Sequence, residues 1–291
     1  MTTIEISFIT PLFNCLAYTK EYLRSIAQTL PDRLCEIILV DDFSTDGTRE
    51  FLKTLADPPY RVFLNQSNLG FAKSSNIGAR HAKGKYLCFL NNDLILRPGW
   101  LEPMIELVTS HSDIGAVGNI QLEPESGLVH HAGVFFDWDG RPLHAWRYRR
   151  RGPEGDSGEW NAITAACLLI SEKVFREVGG FDEDYKNGFE DIDLCVRLKQ
   201  KNYRLLVSYR SVIEHHASVS PGRKKYDDEN RERFLTRWQA VTKVWGKKEW
   251  PAQYVHRYAR AWWKMVPWRM AQGICILAYR YLSAGLPSRR G

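Results

Sequence analysis

Residues 36–48 read Glu36-Ile37-Ile38-Leu39-Val40-Asp41-Asp42-Phe43-Ser44-Thr45-Asp46-Gly47-Thr48: a short apolar run, a polar loop, and the start of a helix extending to about residue 55. The same unit recurs on both sides of it. Upstream, an apolar strand at 4–10 ends at Pro11, and apolar spacing at Tyr22, Leu23, Ile26 and Leu30 marks a helix over 18–30. Downstream come a strand at 61–65, a helix at 72–82 closed by Gly84, and a strand at 86–90 that ends in Asn91-Asn92-Asp93. Strands alternating with helices predict an α/β fold with a mostly parallel central sheet flanked by helices. A helix at 100–110 and a strand at 114–120 continue the pattern. Residues 121–160, rich in Gly, Pro, Trp and Arg, interrupt it, and 147–158 reads as a mobile loop. An apolar run at 162–170, helices at 171–178 and about 190–202, and two short strands at 205–207 and 212–213 follow. Residues 218–233 read as a loop entering a helix.

The chain has 291 residues, 44% of them hydrophobic and 25% charged, which excludes a disordered or fibrous protein and fits one large domain with an appendage. The net charge of +6 is unevenly distributed. Residues 236–291 hold eleven Lys or Arg and one acid, Glu249, so a mildly acidic body precedes a strongly basic tail. That tail also carries six of the ten tryptophans: Trp238, Trp245, Trp250, Trp262, Trp263 and Trp268. The expected organisation is a main domain over 1–235 and a helical C-terminal appendage over 236–291. No secretory signal is expected, since Lys20 follows the first apolar stretch rather than preceding it. The six cysteines include no C-x-x-C pair and read as reduced core thiols, which places the chain in the cytoplasm. The apolar stretch 270–286 falls short of about 20 uninterrupted apolar residues and contains Arg280, which disfavours a membrane span without excluding it.

In an open parallel sheet, ligands bind where strand carboxyl ends meet at a reversal of strand order. Asp41-Asp42 and Asn92-Asp93 each directly follow a predicted strand, so both pairs are expected at one crevice, although Asp and Asn are also ordinary loop and cap residues. The turn after the first strand, Pro11-Leu12-Phe13-Asn14-Cys15, has no glycine, and no P-loop motif occurs, which argues against a dinucleotide fold and a P-loop nucleotidase. A phosphate-bearing ligand would have to be held another way, and a metal held by a carboxylate at a strand end can do this.

These residues resemble the family 2 glycosyltransferases of GT-A fold. The resemblance rests on Ile9-Thr10-Pro11-Leu12-Phe13-Asn14, on Val40 to Thr48 as quoted, and on Asn68-Leu69-Gly70-Phe71-Ala72, Asn76, Gly84-Lys85-Tyr86 and Asn91-Asn92-Asp93. It continues through Gly179-Gly180-Phe181-Asp182 and Glu190-Asp191-Ile192-Asp193, in the same order, over about residues 4–235. His215-His216-Ala217-Ser218, Ser220-Pro221-Gly222-Arg223 and Phe234-x-x-Arg237-Trp238 look like a bacterial subgroup acting in surface-polysaccharide assembly.

The resemblance implies an inverting transfer of a sugar from a nucleoside diphosphate, UDP or dTDP foremost, to a hydroxyl of a glycan or lipid-linked acceptor. Asp42 would contact the base or ribose, with Pro11, Phe13, Asn14, Asp41, Asn68, Asn76 and Asn92 around the donor. Asp93 would hold Mg²⁺ or Mn²⁺; Asn-Asn-Asp stands where much of the family has D-x-D, so one carboxylate remains. His215, favoured over His216, would complete the metal site. Asp191 would be the catalytic base, supported by Glu190 and, toward the acceptor, by Phe181 and Asp182. Without the resemblance, Glu190, Asp191 and Asp193 would simply complement a helix N-terminus. Lys73, Arg223, Lys224 and Lys225 are candidate diphosphate or acceptor contacts, Arg223 foremost in a loop that could close over the donor. Adjacent His130 and His131 are expected to point apart and to hold no second metal. The tail suits peripheral contact with the cytoplasmic membrane face better than nucleic acid, the alternative being a domain-closing helix with a solvated face. Two other readings are a catalytically silent nucleotide-sugar or glycan-binding module and a nucleotidyltransferase. The latter would want a Gly-rich basic loop after the first strand.

Overall fold

A central strand whose apolar residues fall on both of its faces must be covered on both. In the computed structural model, which describes residues 4–31, 33–55, 57–217, 222–258 and 265–284, Ile6, Phe8 and Leu12 pack into one layer while Ile9 packs into the other. Ile37 and Leu39 alternate with Ile38 and Val40 in the same way.

The first half of the chain forms β1 (Ile6–Leu12), α1 (Leu16–Thr29), β2 (Cys35–Asp41), α2 (Thr48–Leu52), β3 (Tyr60–Leu64), α3 (Phe71–His81), β4 (Tyr86–Leu90), β5 (Leu94–Ile95) and α4 (Glu102–Ser110). Then come β6 (Ile114–Leu122), β7 (Val129–His131), β8 (Val134–Phe136), β9 (Pro142–His144), β10 (Ser157–Trp160) and β11 (Cys167–Ser171). The chain closes with α5 (Glu172–Glu177), α6 (Glu190–Gln200), β12 (Arg204–His215), a 3₁₀ turn (Arg223–Tyr226), α7 (Asp227–Tyr258) and α8 (Pro267–Ala284).

The main sheet has the order β10-β12-β6-β11-β4-β1-β2-β3, with β5 on β12 and β7 on β6. From β1 the order runs through β2 to β3, then returns to the other side of β1 with β4, all parallel. The loops leaving β1 and β4 therefore diverge and open a crevice at the carboxyl edge. Helix α3 crosses β1 so closely that a Cβ on Gly78 would stand 2.5 Å from Ile9 Cγ2. Beyond β4 the sheet is mixed: β11 runs antiparallel to β4 and β6, and β12 runs parallel to β6. The two strands expected at 205–207 and 212–213 are one, β12, whose register slips between Ser208 and Val212. Segment 147–158, expected as a mobile loop, is tied at both ends. Its start pairs through backbone with Val129, and Ser157 opens β10 against β12.

Helix α7 runs through positions 235 and 236, where the domain boundary was expected, and packs on the sheet domain. Phe234, Thr242, Trp250 and Tyr254 are buried, and Gly246 lies so close to Asp137 that a Cβ there would meet its carbonyl oxygen at 2.0 Å. Glu249, the tail's single acid, is buried in this contact: one oxygen accepts from Asn161 Nδ2 at 2.6 Å, the other from the Phe136 N–H at 3.5 Å. Burial pushes its carboxyl up to about 7, against the opposing pull of those two donors and of Lys199.

Because the folded state holds this proton more tightly than the unfolded chain, Glu249's contribution is fully present at low pH and is lost as pH rises toward and through 7. Glu249→Gln should therefore flatten the fall in stability between about pH 5 and 8, by up to about 3 kcal/mol at the alkaline end. Denaturant titrations of both proteins across that range measure it. Parallel pH curves would refute it.

Candidate functional site

The crevice between the β1 and β4 loops holds a cavity of about 120 Å³ that opens to solvent. Its wall includes Pro11, Leu12 and Phe13 after β1, Asp42 after β2, Asn68 and Phe71 at the head of α3, and Asn91, Asn92 and Asp93 after β4. The opposite wall is Thr164, Ala165 and Ala166, ahead of β11, with Asn187, Gly188, Glu190 and Asp191 at the start of α6. Three carboxylates expected from sequence, Asp42, Asp93 and Asp191, thus share one cavity.

Asp42 and Asp41 have different tasks. Asp42 accepts from the N–H groups of Leu69 and Gly70 at 2.7 and 2.8 Å and from Asn65 Nδ2 at 3.0 Å, and so folds the 65–70 loop onto the crevice wall. Asp41 does not reach the crevice. It is fully buried, paired with Arg49 at 2.9 Å, and accepts from the N–H groups of Phe43 and Ser44. Asn14 joins the β1 and β2 loops, its N–H donating to Ser44 Oγ and its Oδ1 accepting from the Thr45 N–H. Asn92 donates to Thr19 Oγ1 of α1 at 2.9 Å.

Asp191 opens α6. Its Oδ2 accepts from the Ala165 N–H at 3.1 Å and its Oδ1 from the Ile192 N–H at 2.8 Å. These amides fix both carboxylate oxygens at the head of the helix. The chain enters α6 through Asn187, Gly188 and Phe189, all with positive φ (57°, 137° and 73°). Asn187 Oδ1 accepts from the Phe71 N–H at 2.9 Å, and Glu190 accepts from the Gly188 N–H at 2.6 Å. Backbone strain at a ligand-facing turn persists only where such contacts over-determine it. Asp193 points the other way: fully buried, it accepts from Trp238 Nε1 and Arg197 Nε, both at 2.7 Å, and so locks α7 to α6.

His215 and Asp93 are both buried, with Nε2 and Oδ1 3.1 Å apart but not aligned as a hydrogen bond. The other ring nitrogen, Nδ1, lies 2.8 Å from Gln121 Oε1 and donates to it, so that Nε2 is the nitrogen that faces Asp93. That is the orientation a metal-binding histidine takes, and about 3 Å separates two neighbouring ligands on an octahedral cation with bonds near 2.1 Å. The pair fits Mg²⁺ or Mn²⁺, which would draw its remaining ligands from diphosphate and water; no cluster of three or more protein ligands occurs among the described residues. His216 instead meets Glu21 at 3.1 Å. His130 and His131, which were expected to point apart, both contact His144, and the His130 ring also meets that of His215. Burial, then His130 and His215, push His131 down to about 3, so it is neutral at physiological pH.

Several expected site residues lie off the crevice. Asn76 clamps the backbone of Phe181 through both its amide atoms, and Phe181 is a core ring packed on Phe71, Phe89 and Phe175. Asp182 pairs with Arg237 at 2.7 Å, and Lys73 is half-buried on α3 away from the lining. Arg223 begins the 3₁₀ turn, but its side chain, like residues 218–221, lies outside the described residues. Conversely, Asn187, Gln121 and 164–166 carry no motif of their own; only their contacts reveal them.

The family described as Glycosyl transferase family 2 matches residues 7–179. The O-antigen biosynthesis protein RfbC of Myxococcus xanthus is 31% identical over 198 residues, 64% of this chain and 15% of that protein. The N-acetylglucosaminyl-diphospho-decaprenol L-rhamnosyltransferase of Mycobacterium tuberculosis is 25% identical over 231 residues, 71% of this chain and 74% of that enzyme. The chain spans only 15 to 40% of the length of RfbC and two further curated relatives. A crystal structure of GalNAc-T7 with UDP, GalNAc and Mn²⁺ superposes with a TM-score of 0.68 at 19% identity, over 83% of this chain and 49% of that one. That likeness places the chain in the same fold.

The division between the two adjacent aspartates is measurable. Asp41→Ala strips Arg49 of its carboxylate partner and leaves the amides of Phe43 and Ser44 without their acceptor, so it should cost about 3 kcal/mol of stability. Chemical denaturation reads this, and an unchanged midpoint would contradict the buried role.

Proposed function

Since the chain belongs to glycosyl transferase family 2, we propose that it transfers a sugar, with inversion, from a nucleoside diphosphate, UDP or dTDP foremost, to a hydroxyl of a glycan or lipid-linked acceptor in cell-surface polysaccharide synthesis. The observation that carries this reading is the convergence of Asp42, Asp93 and Asp191 on one crevice. The names of the Myxococcus and Mycobacterium relatives support the surface-glycan setting, and the latter name supports a diphospho-lipid acceptor.

In this reading the nucleoside lies along Pro11, Phe13, Asp42 and Asn68, and the diphosphate lies toward Asp93 and His215. A divalent cation held by that pair would supply positive charge to the diphosphate as the glycosidic bond to it breaks. Asp191 is the catalytic base: the acceptor oxygen attacks the anomeric carbon, the bond to the diphosphate oxygen breaks, and the hydroxyl proton passes to Asp191. A single displacement of this kind inverts the anomeric configuration. Glu190 and the Ala165 N–H position Asp191.

Two outcomes test the site. Binding of UDP- and dTDP-sugars measured with Mn²⁺ and with EDTA should need both the metal and Asp93, and Asp93→Ala should weaken it at least about tenfold. Asp191→Asn should keep that binding yet lower turnover by about 10² to 10⁴, the range of a lost general base. A variant that turns over normally would remove Asp191 from the chemistry.

The setting has its own test. No helix among the described residues is long and apolar enough to cross a membrane, so contact with the cytoplasmic face would be peripheral. Helix α8 supports it: Trp268, Ile274, Tyr279 and Tyr281 are exposed, and the helix contains no acid. Trp262 and Trp263, expected in the same contact, lie outside the described residues. The full chain should float with vesicles containing anionic lipid, and a Trp268→Ser/Tyr279→Ser/Tyr281→Ser variant should do so severalfold less. Equal flotation would exclude α8 as the contact.

A further inference from the structure

We infer that residues 146–151 form a second anion-binding site, distinct from the donor crevice, which seats the diphosphate of the acceptor. The segment reads Trp146-Arg147-Tyr148-Arg149-Arg150-Arg151, four guanidinium groups with no acid before Glu154. Arg147, Arg150 and Arg151 form no ion pair among the described residues, and the buried Arg147 Nε has no hydrogen-bond partner there. The chain thus places three guanidinium groups in one strap, Arg147, Arg150 and Arg151, without an ion pair to a described residue.

The strap is built rather than loose. Trp146 and Tyr148 both adopt positive φ, 59° and 70°, a region that large side chains avoid. Backbone hydrogen bonds hold them there: Ala145 N–H to the Gly133 carbonyl at 2.9 Å, Tyr148 N–H to the Val129 carbonyl at 2.9 Å, and Val129 N–H to the Arg149 carbonyl at 2.7 Å. The alternating conformation stacks Arg147 on the Tyr148 ring at 5.0 Å and Arg149 on the Trp146 ring at 5.2 Å. A stacked guanidinium keeps its in-plane N–H edge for a ligand, and that fork matches phosphate oxygens bidentately.

Position separates this anion from the donor's own diphosphate. No strap residue lines the crevice. The strap is hydrogen-bonded to β7, whose His130 meets the rings of His144 and His215, each at 5.5 Å, and His215 in turn faces Asp93. His130, next in the chain to the Val129 that the strap pairs with, thus links the strap's backbone to His215 without bringing any strap residue into the crevice lining. A phosphate on the arginines belongs to a second molecule, and in the reaction proposed above that molecule is the acceptor. The inference rests on that reading for its assignment to the acceptor; anion binding by the strap does not.

The probes are inorganic pyrophosphate and geranylgeranyl diphosphate, titrated into the full chain in EDTA, with UDP and Mn²⁺ titrated separately. Wild-type protein should bind both probes, the prenyl diphosphate more tightly, without competition from UDP and with no loss in Asp93→Asn. Arg147→Gln/Arg150→Gln/Arg151→Gln should weaken both at least tenfold while leaving UDP–Mn²⁺ binding unchanged. The double variant Arg150→Gln/Arg151→Gln, altered only at exposed positions, should lose severalfold and guards against a folding defect. Retained probe binding in the triple variant, competition by UDP, or no probe binding to wild type overturns the site. Equal affinity for the two probes overturns its assignment to a lipid-linked acceptor. Failure of UDP–Mn²⁺ binding in wild type would instead count against the donor reading.

Discussion

Everything in this chain hangs on one constraint, the return of β4 to the free side of β1 after β2 and β3 have been laid down on the other. Parallel pairing sends all four carboxyl ends to one edge, and the reversal forces the β1 and β4 loops apart. The crevice is thus a consequence of strand order. Polar residues that would be costly to bury elsewhere can collect there, because the loops supply unpaired backbone N–H groups to meet them. Asp42 with Leu69 and Gly70 is one such case, and Asp191 with Ala165 is another.

A second layer of contacts converts that opening into a defined geometry. Asp191 and Asp193 are two residues apart on α6 and so project in different directions. Asp193 is anchored by Trp238 and Arg197 from behind, which fixes the first turn of the helix and with it the direction of Asp191. Helix α7 therefore belongs to the active domain in a mechanical sense, although it follows the last strand. His215 depends on a similar support, since Gln121 at the end of β6 sets which ring nitrogen faces Asp93.

The parallel half of the sheet was legible because each strand is an apolar run closed by a polar loop, and each carboxylate directly follows a strand. What sequence could not separate was the role of neighbours. Asp41 and Asp42 are chemically identical, yet one residue of strand alternation turns Asp41 inward to Arg49. Asn76 and Phe181 share a sequence pattern with the site because they hold its frame, so the pattern alone could not tell frame from lining. The mixed half of the sheet was harder still: antiparallel β11 and the slipped β12 are specified by distant partners, and the polar stretch 209–211 reads as a break even though the strand runs through it. The histidine cluster was hidden because His130, His131, His144 and His215 come from three different strands.

The basic, aromatic tail shows how composition pools what folding separates. As sequence, residues 236–291 present one block of tryptophan and positive charge. In the fold, Trp250 is 2% exposed and Trp238 is committed to Asp193, so those rings stabilise α7 on the domain. Trp268 is 61% exposed on α8, where Gly273 packs against Val255 and Pro251 and leaves the aromatic side outward. A large ring left in water brings no folding stability from its burial, about 2 to 3 kcal/mol in a core. The same residue type in one tail thus has a structural explanation in α7 and lacks one in α8, a difference that the charge count of the tail does not reveal.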